Sequence, residues 1–194
     1  MDAARERYAQ GLEHLKQARF EEARRLFEQL VVEEPDWVEA HINLGVALLE
    51  LERTEEAQTA FERARALRPE NDDVHYNLGV VYEKRNLLDE AQAAYEKTIR
   101  LRPTIPEAHC NLGNIYREKG WLDRAIEEYR MAVELQPYFA LAHNNLAVTY
   151  AMSGNLEGAA HHVGIAQALG YKIHPDFLHH LRQELGRGKE KTSR

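Results

Sequence analysis

A six-residue phrase returns along this chain at a fixed interval. Ala40-His41-Ile42-Asn43-Leu44-Gly45 is followed by Val74-His75-Tyr76-Asn77-Leu78-Gly79, Ala108-His109-Cys110-Asn111-Leu112-Gly113 and Ala142-His143-Asn144-Asn145-Leu146-Ala147, each 34 residues after the last. Other positions keep the step: Ala23, Ala57, Ala91, Ala125 and Ala159, and four residues on Phe27, Phe61, Tyr95, Tyr129 and Val163. Pro35, Pro69, Pro103 and Pro137 close the units, with Tyr171 in the fifth place. A repeat this short is one supersecondary unit that cannot bury its apolar face alone, so neighbours must stack. Counting back adds a more divergent first unit, and the limits become 4–37, 38–71, 72–105, 106–139 and 140–173.

Inside each unit the apolar spacing is helical. Positions 4, 7, 8 and 11, which are His109, Leu112, Gly113 and Tyr116 in the fourth unit, share one stripe at 3.6 residues per turn. Ala125 and Ala132 leave room in the second helix beside Tyr129, the small-against-large pattern by which two helices interdigitate. The closing prolines lack an amide hydrogen and stop the second helix. Gly120, Gly154 and Asn86 fall at the turn between helices, where a positive φ is needed. After the last unit, His174-Pro175-Asp176 starts a helix with proline in its first turn. Phe177, Leu178, Leu181 and Leu185 line one side of it and Gly186 ends it, so residues 174–186 read as a cap and 187–194 as a disordered basic tail.

These residues resemble the tetratricopeptide signature, aromatic-x2-Leu-Gly-x2-Tyr, then Ala-x3-Phe, then Pro. The resemblance implies an all-α right-handed solenoid of five helix-turn-helix repeats with a C-terminal capping helix. Two positions depart from it. The first signature residue is His in four units and Arg7 in the first, and the fifth unit has Ala147 for Gly and Tyr171 for Pro.

The composition limits the function classes. No apolar run approaches the ~20 residues of a bilayer span, and the charged N-terminus does not read as a secretory leader. A net charge of -7 argues against nucleic acid and anionic membrane as partners. A single cysteine, Cys110, forms no internal disulfide and suits a reducing cytoplasm.

The search for catalytic chemistry turns up little. His41, His75, His109 and His143 recur in register, but in separate helix pairs, whereas a zinc site needs ligands converging at ~2 Å. They read as packing residues. His161, His162, His174, His179 and His180 cluster late in the chain without HExxH or paired-cysteine spacing. Cys110 and His109 are neighbours on a helix and point about 100° apart, so they are no nucleophile–base pair. Nothing calls for a cofactor or a metal, and the chain does not read as an enzyme.

The stripe at positions 2, 6, 9 and 13 of each first helix remains. The family resemblance places it on the concave face. Position 6 is Asn43, Asn77, Asn111 and Asn145, and asparagine is a mediocre helix former, so four in register call for a reason. Their amides could clamp a peptide backbone, or hydrogen-bond within the stack. Position 2 supplies Glu39, Asp73 and Glu107; Asn114 and Asn144 add polarity, while Leu12, Ile42, Val46, Tyr76 and Val80 make the N-terminal half apolar. The asparagine column is similar to the superhelical repeats of O-linked N-acetylglucosamine transferase and bacterial arrays, where it contacts extended peptides. The resemblance implies a recognition role only, as no catalytic region is present. The clamp for acidic chaperone C-termini needs basic residues where this chain has Asp73 and Asn77, and is rejected.

The expected function is therefore a non-catalytic scaffold for an extended protein or peptide segment carrying basic and apolar residues, with weak self-association through the basic tail. The alternative is a regulatory or substrate-targeting subunit of a separate enzyme such as a transferase.

Overall fold

In the computed structural model, residues 2–192 are described. They are all-helical: α1 Asp2–Lys16, α2 Phe20–Glu33, α3 Val38–Glu50, α4 Thr54–Leu67, α5 Asp72–Lys84, α6 Leu88–Leu101, α7 Pro106–Glu118, α8 Leu122–Leu135, α9 Ala140–Met152, α10 Leu156–Ala168 and α11 Pro175–Thr192. The chain divides into two compact units after Arg102. The first holds three helix pairs; the second holds two pairs and α11. Each α-helix packs on its partner in the pair. Within the units α2 also packs on α3, α4 on α5, α8 on α9 and α10 on α11.

Each pair is held by one contact that explains a spacing in the sequence. A Cβ added at Gly79 would lie 2.5 Å from the Tyr95 ring, and one at Gly113 would lie 2.7 Å from the Tyr129 ring. No side chain fits at those positions, so the first helix lies flat on the aromatic ring of the second. In the last pair the restriction is relaxed from both sides, with buried Ala147 and the smaller Val163. The glycine-to-alanine departure there is matched by loss of the ring.

The turn inside each pair has one residue at positive φ: Ala18 and Glu52 at 54° and 58°, Asn86 at 58°, Gly120 and Gly154 at 77° and 85°. Only the last two carry the residue that takes this conformation freely.

Beyond the repeats, α11 lays Phe177, Leu178, Leu181 and Leu185 against a cluster that includes Val163, Ala166 and Ile173. Its end differs from the expectation. Gly186 does not stop it, and the helix continues to Thr192, because Gly186 and Gly188 each cost a helix only about 1 kcal/mol and Arg187, Lys189, Glu190 and Lys191 are good helix formers. The expected disordered tail is helical as far as Thr192; residues 193–194, and the side chains from 188 onward, lie outside the described residues.

Candidate functional site

The repeat histidines have a task beyond packing. His41 Nε2 lies 2.8 Å from the Pro35 carbonyl oxygen, and His75 Nε2 lies 2.7 Å from that of Pro69. His109 with Pro103 and His143 with Pro137 repeat the contact at 3.0 Å. A carbonyl oxygen only accepts, so Nε2 carries the hydrogen in every case. Each histidine pins the loop that its proline opens, six residues upstream. A constant Pro-x5-His spacing was the available sequence signal for this bond.

In the second unit the other ring nitrogen is also engaged. His109 Nδ1 stands 2.7 Å from Glu128 Oε2. A carboxylate and a carbonyl both accept, so this arrangement favours a ring that carries a hydrogen on each nitrogen. Burial opposes that charge, but the Glu128 carboxylate and the Pro103 carbonyl outweigh it and hold His109 above its ordinary pKa. One repeat later the residue in register with Glu128 is His162. Its Nδ1 lies 2.9 Å from His143 Nδ1, and the rings stack at 5.2 Å. Burial first, then the neighbouring histidines and Arg130, push His162 down to about 4. Among the described residues no three His, Cys, Asp or Glu side chains are grouped to hold a metal ion.

The asparagines at position 6 divide by unit and by use. In the first unit Asn43 donates from Nδ2 to the Tyr8 hydroxyl and to the Glu39 carbonyl, both at 2.8 Å. Asn77 donates to the Asp73 carbonyl at 2.7 Å. Both are half-buried, and the carbonyl oxygen of each amide has no donor among the described residues. Tyr76 is half-buried near Tyr95, with ring centroids 6.0 Å apart.

In the second unit Asn145 is 7% exposed. Its Nδ2 donates to Asn114 Oδ1 at 3.0 Å and to the Cys110 sulfur at 3.8 Å, while its Oδ1 accepts from Asn144 at 3.3 Å. Asn114 Oδ1 also accepts from the Tyr129 hydroxyl at 2.7 Å. These amides tie α7, α8 and α9 together. Asn111 is half-buried on the same face and is itself engaged.

The acidic residues at position 2 divide as well. Glu39 Oε1 is 2.8 Å from Arg68 Nη1, and Asp73 Oδ1 is 2.7 Å from Arg102 Nη2. Burial alone would lift the Glu39 carboxyl, yet backbone and Arg68 hydrogen bonds hold it below the usual carboxylate range. Each arginine stands 29 residues after its acid. The residue in that register after Glu107 is Gln136, and Glu107 is exposed without an ion pair among the described residues.

Tetratricopeptide repeat models match residues 8–57 and 47–104, a second matches 94–127, and a TPR repeat model matches 113–154. No curated protein sequence matches. Among solved structures, a MamA structure from Desulfovibrio magneticus RS-1 superposes with a TM-score of 0.79 at 25% identity, covering 88% of this chain and 96% of that one. A MamA MSR-1 structure gives 0.73 at 26%, with coverage of 88% and 98%. A further MamA crystal structure, at 22% identity and a TM-score of 0.75 over 82% and 94%, speaks to the fold alone. No helix among the described residues is long and apolar enough to cross a membrane.

Proposed function

Because this chain belongs to the tetratricopeptide repeat family, whose fold is a protein-interaction scaffold, we propose that it is non-catalytic and takes an extended partner segment along the stripe of its first helices. The observation that carries this reading is the state of Asn77. Its amide is half-buried in a helix, spends one N–H on its own backbone, and keeps a carbonyl oxygen and a second N–H for a partner. Asn43 keeps its carbonyl oxygen too. Unpaired amide groups beside an aromatic side chain, Tyr76, suit a peptide backbone with an apolar residue on it. In the second unit Asn111 is engaged within the protein and Asn114 and Asn145 support the stack, so the exposed Glu107 carries the stripe there. The buried thiol of Cys110 suits work in the cytoplasm.

The test begins with peptides selected against the whole protein from a random displayed library. Replacing Asn43 and Asn77 together with alanine should weaken the selected peptides by about 1–3 kcal/mol, at the usual worth of a hydrogen bond. Helix content should hold, since alanine is the better helix former. If the double variant unfolds and its folded remainder binds normally, the asparagines are structural and this reading falls.

A further inference from the structure

The repeats can be overlaid residue by residue, and the overlay shows where the second unit abandons charge. In the first unit the loops before α3 and α5 offer Asp36 and Glu70. Arg63 meets Asp36 at 2.9 Å and Lys97 meets Glu70 at 2.6 Å. At position 2, Glu39 and Asp73 are neutralised by Arg68 and Arg102. In the last repeat the residues in those registers are Tyr138 for the loop acid, Ile165 for its cation, Leu141 for the position-2 acid and Gly170 for its arginine. Tyr138 is 80% exposed and Leu141 is 42% exposed. One repeat earlier, position 2 keeps its acid, Glu107, but loses the arginine to Gln136.

The second unit thus presents, at the starts of two neighbouring first helices, a carboxylate with no counter-ion among the described residues, followed one repeat later by exposed apolar side chains. We propose that this is the selective part of the binding surface, and that it takes a partner segment in which a bulky apolar side chain stands next to lysine or arginine, the cation on Glu107 and the apolar group on Leu141 and Tyr138. The inference rests on the reading that the first-helix stripe receives a partner segment.

Charge complementarity favours this occupant. Glu39 and Asp73 already have cations at hydrogen-bond distance and offer an incoming lysine little, whereas Glu107 gains its first. An acidic segment would meet an uncompensated carboxylate and be repelled. Tyr138 and Leu141 are two of five large apolar side chains that the second unit exposes, against Val32 in the first, a concentration that favours an interaction site over scatter.

Three short fluorescein-labelled peptides in a Gly-Ser background test this by anisotropy against the full chain: one with Leu-Lys steps, one with Leu-Glu steps and one with Ser-Lys steps. The Leu-Lys peptide should bind, and the other two should bind about tenfold more weakly or worse. Glu107→Gln and Leu141→Ser should each cost the Leu-Lys peptide about tenfold, Glu39→Gln should cost it nothing, and Glu107→Lys should turn the preference toward the Leu-Glu peptide. Circular dichroism on each variant confirms that it is folded. Equal binding of the Leu-Lys and Leu-Glu peptides, indifference to Glu107→Gln, or no binding by the Leu-Lys peptide overturns the proposal. So does a dimer in sedimentation that Tyr138→Ser and Leu141→Ser dissolve, since the occupant is then a second copy. If the asparagine variant loses its selected peptides while Glu107→Gln leaves every peptide unaffected, the stripe still binds partners and only this selectivity is wrong.

Discussion

The two units are built from the same repeat but are held by different chemistry. In the first, Arg7–Glu33, Arg63–Asp36, Arg68–Glu39, Lys97–Glu70 and Arg102–Asp73 join the end of each second helix to the start of its own pair. In the second, those registers carry Thr104, Met131, Gln136, Tyr138 and Leu141, and buried or half-buried amides and imidazoles do the tying. A single residue shows how the exchange propagates. The Tyr95 hydroxyl donates to Glu83 Oε2 at 2.8 Å. In register with Glu83 the second unit has Arg117, which holds only donors, so the Tyr129 hydroxyl turns to Asn114 instead. The stack is one set of shape constraints that accepts two solutions for its polar contacts. The unit that gave up surface charge holds Trp121, Met131, Tyr138, Leu141 and Met152 among its exposed apolar side chains, against Val32 in the first.

The largest expected effect makes the second unit resemble the first at one point. Asn114→Val copies Val80, its counterpart, and removes the acceptor that the Tyr129 hydroxyl and the Asn145 amide share. It should cost about 1–3 kcal/mol, the loss of two hydrogen bonds at about 0.5–1.5 each. Adding Tyr129→Phe should recover part of the loss. A urea midpoint unmoved by Asn114→Val would mean that the amide network adds nothing to stability.

A smaller effect belongs to the second unit and depends on pH. His162 is pushed down to about 4 by burial and its histidine neighbours. The unfolded chain therefore binds its proton more readily, and the stability is complete above about 6.5 and lost as pH falls from there through about 4. His109 has the opposite sign. Its raised pKa gives stability that is complete below about 6.5 and lost as pH rises through the folded value. In urea melts across this range, His162→Leu should flatten the acid-side decline and Glu128→Gln should remove the alkaline one. Parallel pH profiles for wild type and His162→Leu would show that the imidazole pair does not govern the acid side.

Salt should act on the other unit, more weakly still. Its ion pairs are exposed, each worth about 0–1 kcal/mol, and near 1 M salt the screening length shrinks to about 3 Å. Amide exchange in α3–α6 should quicken on adding salt, by about 1 kcal/mol in opening free energy, while α8–α10 stays unchanged. An equal response in both would erase the distinction between the units.

The fold was legible because its main constraint is steric and periodic. Gly45, Gly79 and Gly113 each recur 16 residues before an aromatic ring, and no other arrangement of that pair was needed. The end of α11 was not legible, since Gly186 resembles a stop signal but lacks the left-handed turn that makes one. For the candidate site, residue type was readable and residue state was not. Glu39, Asp73 and Glu107 look alike in sequence; their difference lies in Arg68, Arg102 and Gln136, a whole helix away. Asn145 likewise looks like Asn77, and only the neighbouring Asn114 decides that its amide is buried and used.

The smallest expected effect lies in the turns, where the units also differ. Glu52 is exposed and holds φ at 58°, a conformation that costs an ordinary residue about 1–2 kcal/mol. Gly120 holds the same place in the second unit at 77°, with nothing within 4 Å of where a Cβ would stand. Glu52→Gly should thus stabilise the first unit by about 0.5–1 kcal/mol, the relieved strain less the extra freedom glycine gives the unfolded chain. Gly120→Ala should destabilise the second by about 1 kcal/mol through the backbone alone, since the methyl meets no neighbour. Asn86→Gly should gain less than Glu52→Gly, because asparagine tolerates the left-handed region better. The two glycine gains, ranked in that order by thermal melts, would show that the turns of the first unit carry strain that the second has shed. Equal gains at Glu52 and Asn86 would instead trace the effect to removal of a side chain from the surface, and the turns of the two units would then be alike.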